Sequence, residues 1–153
     1  MIAYFDIFSG ISGDMTLGAF IDLGVPVEWI EKKLSTVLKG FQLKTRPVEK
    51  NHLKATDIVV DIIDEQGLSR NYKDIKALIK KASLPENVKN NSLTAFKKIA
   101  KAEAHIHSND IETVHFHEIG GIDSIVDIIG TFLCVEYLGI QKVHASAIPL
   151  GSG

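Results

Sequence analysis

The chain has 153 residues, of which 45% are hydrophobic and 24% are charged, and its formal net charge is −2. This length and composition are typical of one globular domain, and they exclude a disordered chain, a collagen-like repeat and a disulfide scaffold. The chain has 19 acidic and 17 basic residues. It therefore has no overall positive charge to attract nucleic acid or an anionic membrane, and neither is expected as a partner.

Apolar periodicity and turn residues predict the elements in chain order. Residues 2–8 form a strand, a Gly/Ser turn follows at 9–13, and a helix then runs to a stop at Gly24. Pro26 opens a second helix that reaches Leu38, since proline suits a first helical turn. The remaining predictions are strands at 41–49 and 53–63 around a turn at 50–52, helices at 72–82 and 85–104, an irregular segment at 105–120, a long buried helix at 122–138 and a strand at 143–150.

This order of elements indicates the fold class. When each helical block is counted once, the order is βαββαβ, which is the ferredoxin-like arrangement of the α+β class, here with extra helices. The four strands are then expected in one mixed sheet, with helix 122–138 packed on it. Residues 1–153 are expected to form a single α/β domain.

The single cysteine and the N-terminus bear on the cellular compartment. Cys134 lies between apolar residues of a predicted helix and is expected to be an unreactive core thiol. A lone cysteine cannot form an internal disulfide, and the N-terminus lacks the basic region of a signal peptide. The apolar stretch 119–140 is interrupted by Asp123, Asp127 and Glu136, which argues against a membrane span. The sequence therefore predicts a cytoplasmic protein.

A first group of candidate site residues lies in the turn after the first strand. The stretch from Phe5 to Asp14 places a Gly/Ser turn between a strand and the start of a helix, where free backbone N–H groups can bind a phosphate. The candidate phosphate-binding residues are Ser9, Gly10, Ser12, Gly13 and Asp14. The alternative is purely structural, with Ser12 as the helix N-cap and Asp14 as a favourable first-turn acid.

A second group combines imidazoles and carboxylates: His105, His107, His115, His117, Glu118 and Asp123. In an extended segment, side chains two residues apart point to the same side, so a His-x-His pair can chelate one metal ion. Glu118 or Asp123 can supply an oxygen ligand. Imidazoles with few carboxylates and no cysteine suit nickel, zinc or copper better than magnesium or calcium. The alternative is a solvated histidine loop beside acids that favour a helix N-terminus.

Four separated motifs are distributed along nearly the whole length of the chain. They are residues 5–15 (FDIFSGISGDM), 102–107 (AEAHIH), 114–130 (VHFHEIGGIDSIVDIIG) and 149–153 (PLGSG). Together, and in this order, they resemble the LarC family of nickel insertion proteins. The resemblance implies a cytoplasmic nickel chelatase, a lyase, that inserts nickel into pyridinium-3,5-bisthiocarboxylate mononucleotide. The product is the nickel-pincer nucleotide cofactor, whose recipient is lactate racemase. The reaction of the family depends on CTP and on a divalent metal such as manganese or magnesium.

The resemblance also assigns residues. Its metal candidates are His107, His115, His117, Glu118 and Asp123, whereas His105 falls on a variable position. The substrate phosphate is expected at Ser9, Gly10, Ser12, Gly13 and Asp14. Members of the family are more than twice as long and bind CTP in a C-terminal part, so residues 1–153 are expected to be the N-terminal domain of a longer protein.

Two other functions stay open at this point. The chain can be a non-catalytic module that holds or delivers nickel, or a phosphate-ligand binding domain in which the histidines are structural. Turnover with nickel and CTP supports insertion, nickel binding without turnover supports delivery, and nucleotide binding without metal binding supports the third function.

Overall fold

The computed structural model of the chain describes residues 1–8, 10–64, 70–114, 116 and 119–149. Within these ranges the chain is a mixture of helices and strands, which confirms the α+β class and the predicted order of the elements. They are β1 (Ile2–Phe5), α1 (Gly13–Asp22), α2 (Val27–Leu34), β2 (Phe41–Lys50), β3 (Leu53–Ile62), α3 (Tyr72–Lys81), α4 (Glu86–His107), α5 (Ile122–Tyr137) and β4 (Lys142–Ala145).

The end of α1 and the beginning of α2 lie where the turn residues predict. Gly24 follows α1 with a φ of +97°, a left-handed conformation that glycine adopts without strain. Pro26 is the N-cap of α2, as predicted. This helix ends at Leu34 instead of Leu38, and the chain continues as turns over residues 35–37.

Helix α4 is longer than predicted, and this corrects the irregular segment expected from residue 105. The helix runs to His107 and therefore includes His105 in its last turn. It ends at Ser108, which has a left-handed φ of +53° and donates its N–H to the carbonyl of Ala104. Since the left-handed residue is a serine and not a glycine, the sequence carries no strong stop signal here.

Strands β2 and β3 form a long antiparallel hairpin. The pairing runs from Phe41 beside Ile62 to Lys50 beside Leu53. The connection at residues 51 and 52 has φ values of +51° and +64°, which is the conformation of a two-residue type I′ turn. The predicted turn at 50–52 is therefore confirmed.

Helix α1 crosses β3 at very close range. A Cβ added to Gly18 would lie 2.1 Å from the carbonyl oxygen of Thr56, so only glycine fits at that position. One turn later, the Asp22 carboxylate accepts hydrogen bonds from the Thr56 backbone N–H at 3.0 Å and from its hydroxyl at 2.6 Å. These contacts fix the hairpin to α1.

The strands do not form the single mixed sheet that the ferredoxin-like prediction requires, so that part of the prediction is wrong. Among the described residues, β1 pairs only with β4, in parallel, and β2 pairs only with β3. Helix α1 separates the two pairs, because it contacts β1 through the Phe5–Phe20 ring pair, at 6.1 Å, and β3 through Gly18. Strand β4 is also shorter than the predicted 143–150.

Helix α5 is the centre of the apolar core. Its fully buried side chains include Ile125, Ile129 and Leu133, and its main neighbours are α1, α2 and α4. The expectation that it packs on a sheet is therefore corrected. Cys134 is also fully buried, and burial raises the pKa of its thiol to about 12, which confirms a core thiol. Within the described ranges, no helix has the length and apolar character needed to cross a membrane.

Candidate functional site

The turn after β1 leads directly into the N-terminus of α1. Ser12 is the N-cap residue, and the helix begins at Gly13. The Ser12 carbonyl accepts hydrogen bonds from the Thr16 backbone N–H at 3.1 Å and from the Thr16 hydroxyl at 2.7 Å. The Ser12 hydroxyl donates to the carboxylate of Asp14, which lies in the first turn of the helix. Ser9 lies outside the described residues, and the phosphate-binding role stays a prediction.

Strand β4 ends beside this turn because it runs parallel to β1. Ser146, just after β4, donates its N–H to the Phe5 carbonyl at 2.9 Å, and its hydroxyl accepts the Ile7 N–H at 2.7 Å. The carboxyl ends of two parallel strands and the N-terminus of α1 therefore meet at one edge of the molecule. In α/β proteins, ligands bind at such an edge.

Asp127 of α5 fills the space directly in front of Gly13. A Cβ added to Gly13 would lie 2.2 Å from both Cγ and Oδ2 of Asp127. The carboxyl can therefore approach the first turn of α1 only because position 13 has no side chain. Its Oδ1 is buried and has no hydrogen-bond partner among the described residues. This contact joins α5, which carries part of the predicted metal group, to the predicted phosphate turn.

The surroundings of Asp127 favour its neutral form. Burial raises the pKa of its carboxyl from 3.8 to about 7, and the carboxylates of Asp123 and Asp14 add to the rise. Near neutral pH the group can therefore exchange a proton or, when ionised, attract a cation. The carboxylates of Asp14 and Asp123, joined by Asp127 when it is ionised, make this end of α1 negative, so a phosphate that docks here is favoured by an accompanying cation.

Two hollows of about 370 Å³ each meet at Gly13 and Thr131, which border both of them. The first lies between α1, α4 and α5, and its mostly apolar wall includes Asp127. The second lies at the carboxyl ends of β1 and β4 and is bordered by Ser12 and Thr16. Each is within the size range of small-molecule sites, roughly 300–1,000 Å³. We call the two hollows together the α1 crevice.

Three of the five predicted metal ligands lie outside the described residues: His115, His117 and Glu118. Two described residues of the same segment contact the rest of the fold. Phe116 is buried and its ring lies 6.4 Å from that of Phe96 in α4. Ile119, which follows Glu118 in the chain, borders the hollow that contains Asp127.

The other two predicted metal ligands are described. His107 lies in the last turn of α4, with its Nε2 3.4 Å from Oε2 of Glu103. Asp123 is exposed in the first turn of α5. In a helix, side chains two residues apart point to opposite sides, so His105 and His107 cannot chelate one ion in the way an extended His-x-His segment does.

The described residues do not by themselves form a metal centre. Within the described ranges, no group of three or more His, Cys, Asp or Glu side chains is close enough to hold an ion. The five-residue nickel site therefore stays a prediction. The described residues likewise provide no such cluster for manganese or magnesium.

Asp127 is the candidate whose role the sequence reasoning missed. The sequence placed it with Asp123 among acids that favour a helix N-terminus, whereas the structure buries it against Gly13. The available signal was a carboxylate four residues after Asp123 in a helix that is otherwise largely apolar. Such a residue is rarely buried without a specific reason.

Comparison with known proteins decides the family. The family model described as nickel insertion protein matches residues 3–153, which is nearly the whole chain. The chain belongs to the nickel insertion protein family. Membership supports a role in nickel insertion, and among the metals left open by the imidazole pattern it implies nickel.

Several relatives carry the name "Putative nickel insertion protein". That of Geotalea uraniireducens is 43% identical and matches 99% of this chain and 40% of its own length. That of Dictyoglomus thermophilum is 43% identical over 98% of this chain and 39% of its own length, and that of Geobacter metallireducens is 44% identical over 99% and 40%. The chain thus spans about 40% of these members of the nickel insertion family. No solved structure matches it.

Proposed function

We propose that the chain takes part in inserting nickel into pyridinium-3,5-bisthiocarboxylate mononucleotide, which yields the nickel-pincer nucleotide cofactor of lactate racemase. The observation that carries this proposal is the match of residues 3–153 to the nickel insertion family. Because the chain spans about 40% of its relatives, the complete lyase reaction, with CTP and manganese or magnesium, is proposed for the longer protein.

The α1 crevice is the proposed binding site of the mononucleotide. Its phosphate is placed at the N-terminus of α1, beside Ser12 and Gly13, where backbone N–H groups and the positive end of the helix favour an anion. The negative charge of Asp14 and Asp123, and of Asp127 when it is ionised, opposes a bare phosphate, so the phosphate is proposed to arrive with a bound cation. The hollow beside Asp127 has largely apolar walls that suit a flat ring.

Nickel is the second substrate, and its proposed ligands are His107, His115, His117, Glu118 and Asp123. Support comes from the chemistry of the donors, since neutral imidazoles bind borderline divalent ions well. Further support comes from Ile119, the described residue that follows Glu118 in the chain, which borders the hollow beside Asp127. Nickel and nucleotide would then meet between the first turns of α1 and α5.

Nickel titration of histidine variants tests the proposal. His115→Ala and His117→Ala are each expected to weaken nickel binding by about tenfold or more, as loss of one ligand breaks a chelate. The double variant should lose less than the sum of the two. His52→Ala and His144→Ala are the matched controls, since His52 lies exposed in the hairpin turn and His144 exposed in β4. Circular dichroism checks that every variant is folded.

Three outcomes separate this function from its alternatives. Folded His115→Ala and His117→Ala variants that bind nickel as tightly as the unaltered chain would remove the proposed metal site. Tight nickel binding without turnover in the longer protein, even with the thiolated nucleotide and CTP present, would favour a delivery module. Nucleotide binding without nickel binding would favour a phosphate-ligand domain.

Nickel binding should also weaken as pH falls through about 6.5, where free imidazoles gain a proton.

A further inference from the structure

The β1–β4 pair is unusually exposed for parallel strands. Every residue of β4 is exposed, and Ile2 and Tyr4 of β1 are 64% and 66% exposed. Parallel sheets are normally covered on both faces, and a two-stranded sheet is at best marginally stable without such cover. The parallel β1–β4 pair therefore lacks most of the covering side chains that a parallel sheet normally has.

The two faces of this pair differ in what covers them. On one face, Phe5 packs edge-on against Phe20 of α1. On that same face, Val143 is paired with Ala3 but remains 53% exposed. The helices thus cover β1 but not β4. The opposite face, which carries Ile2 and Tyr4, is open along both strands.

Exposed apolar side chains continue past the carboxyl ends of the strands. Phe8 is 80% exposed, and Ile11, Met15 and Ile148 are also exposed. We call these four residues, together with Ile2 and Tyr4, the open sheet surface. Apolar patches of this kind mark sites of association, because leaving them in water costs free energy in proportion to their area.

The relatives indicate what covers the surface. Each is aligned with this chain over about 40% of its own length, so the greater part of each relative lies outside the aligned region. A second copy of this chain is a poorer occupant, because its main apolar helix faces are buried in its own core and it could offer only its own open sheet surface, with no helix to cover it. A longer polypeptide supplies both further strands and covering helices.

We propose that the open sheet surface is the docking site for the part of the family polypeptide that this chain does not span. That part adds a strand along the free edge of β4 and covers the face of Ile2 and Tyr4. The proposal rests on family membership and on the exposure of β1 and β4, and it does not depend on the nickel or nucleotide sites.

Hydrogen exchange tests this proposal on two proteins, the 153-residue chain and the longer relative from Dictyoglomus thermophilum. The amides of β1 and β4 are expected to exchange at least about tenfold more slowly in the longer protein, because they become paired and covered there. The amides of the hairpin turn at residues 51 and 52 are the internal control and should exchange equally in both. Equal, fast exchange of β4 in the two proteins would overturn the proposal.

Substitutions provide a second readout. Tyr4→Lys should leave the Tm of the 153-residue chain nearly unchanged, whereas lysine at the aligned position of the longer relative should lower its Tm. Leu53→Lys, at an equally exposed apolar position of the hairpin, is the matched control and should be mild in both proteins. A 153-residue chain that dimerises at micromolar concentration, with β4 protected in the dimer and Tyr4→Lys restoring the monomer, would show that a second copy is the occupant and would refute the proposal.

Discussion

Asp127 gives the candidate site a dependence on pH. In the folded chain, the pKa of this carboxyl is about 7 instead of the ordinary 3.8. Burial is the main cause, and the nearby carboxylates of Asp123 and Asp14 add to it. Below pH 3.8 the carboxyl is protonated in both the folded and the unfolded chain. Between pH 3.8 and 7 the unfolded chain releases this proton and the folded chain retains it, so the free energy of unfolding falls as pH rises. Above pH 7 the carboxyl is ionised in both states, and the folded chain bears the full free-energy cost of a half-buried carboxylate.

Asp127→Asn is therefore expected to stabilise the chain at pH 8 and to change little at pH 4. After a discount for partial exposure, the gain at pH 8 is about 1–2 kcal/mol, or roughly 2–8 °C in Tm. Thermal unfolding followed by circular dichroism at the two pH values measures it. Asp64→Asn, at an exposed position, is the control and should shift Tm equally at both. An Asp127→Asn profile parallel to that of the unaltered chain would show that folding does not raise the pKa of Asp127.

At the level of single residues, the sequence indicated the turn from Ser12 to Asp14 but not Asp127. The turn was visible because glycines and serines between a predicted strand and a predicted helix mark a helix N-terminus, which either a phosphate or a simple N-cap can use. Asp127 was not, because its burial depends on a contact with Gly13 from a distant part of the chain. Local pattern carries no information about such a contact.

The crossing of α1 and β3 makes a prediction at the level of elements. Gly18→Ala would stabilise an isolated helix by roughly 1 kcal/mol. Here the new Cβ would lie 2.1 Å from the Thr56 carbonyl oxygen, so a net loss of about 1–3 kcal/mol is expected. Urea unfolding measures the change. The matched control is Gly130→Ala in α5, whose Cβ would meet only side-chain ends, Leu17 Cδ2 at 3.0 Å and Ile30 Cγ2 at 3.8 Å, and should cost less. Equal effects would argue against a rigid crossing.

Elements set by local signals were predictable, and the pairing between distant elements was not. The β2–β3 hairpin followed from two apolar runs around a tight turn, and the helices followed from their apolar period. The partner of β1 is β4, at the other end of the chain, and it is chosen by how α1 packs between the two strand pairs. The predicted end of α4 was wrong because Ser108, where the helix stops, takes a left-handed conformation that usually requires glycine.

For the molecule as a whole, Cys134 serves as a reporter of global unfolding. It lies fully buried in the central helix α5, and burial raises the pKa of its thiol to about 12. Since the thiolate is the reactive form, alkylation of the native chain is expected to be at least about 100-fold slower than that of the unfolded chain. Iodoacetamide labelling followed by mass spectrometry, with and without urea, measures the ratio. Rapid labelling of the native chain would mean that α5 opens locally without unfolding of the core.

The contact between Gly13 and Asp127 also constrains the order in which these two positions can change during evolution. A side chain at position 13 would occupy the place of the Asp127 carboxyl and come within 2.4 Å of its Cβ, so an alanine there is acceptable only after position 127 has become smaller. Loss of the carboxylate must therefore come first, and with it any role that Asp127 has in the crevice. A lineage that keeps this carboxylate is thereby held to glycine at position 13, and one that gives it up gains the freedom to close the entrance of the crevice with a side chain.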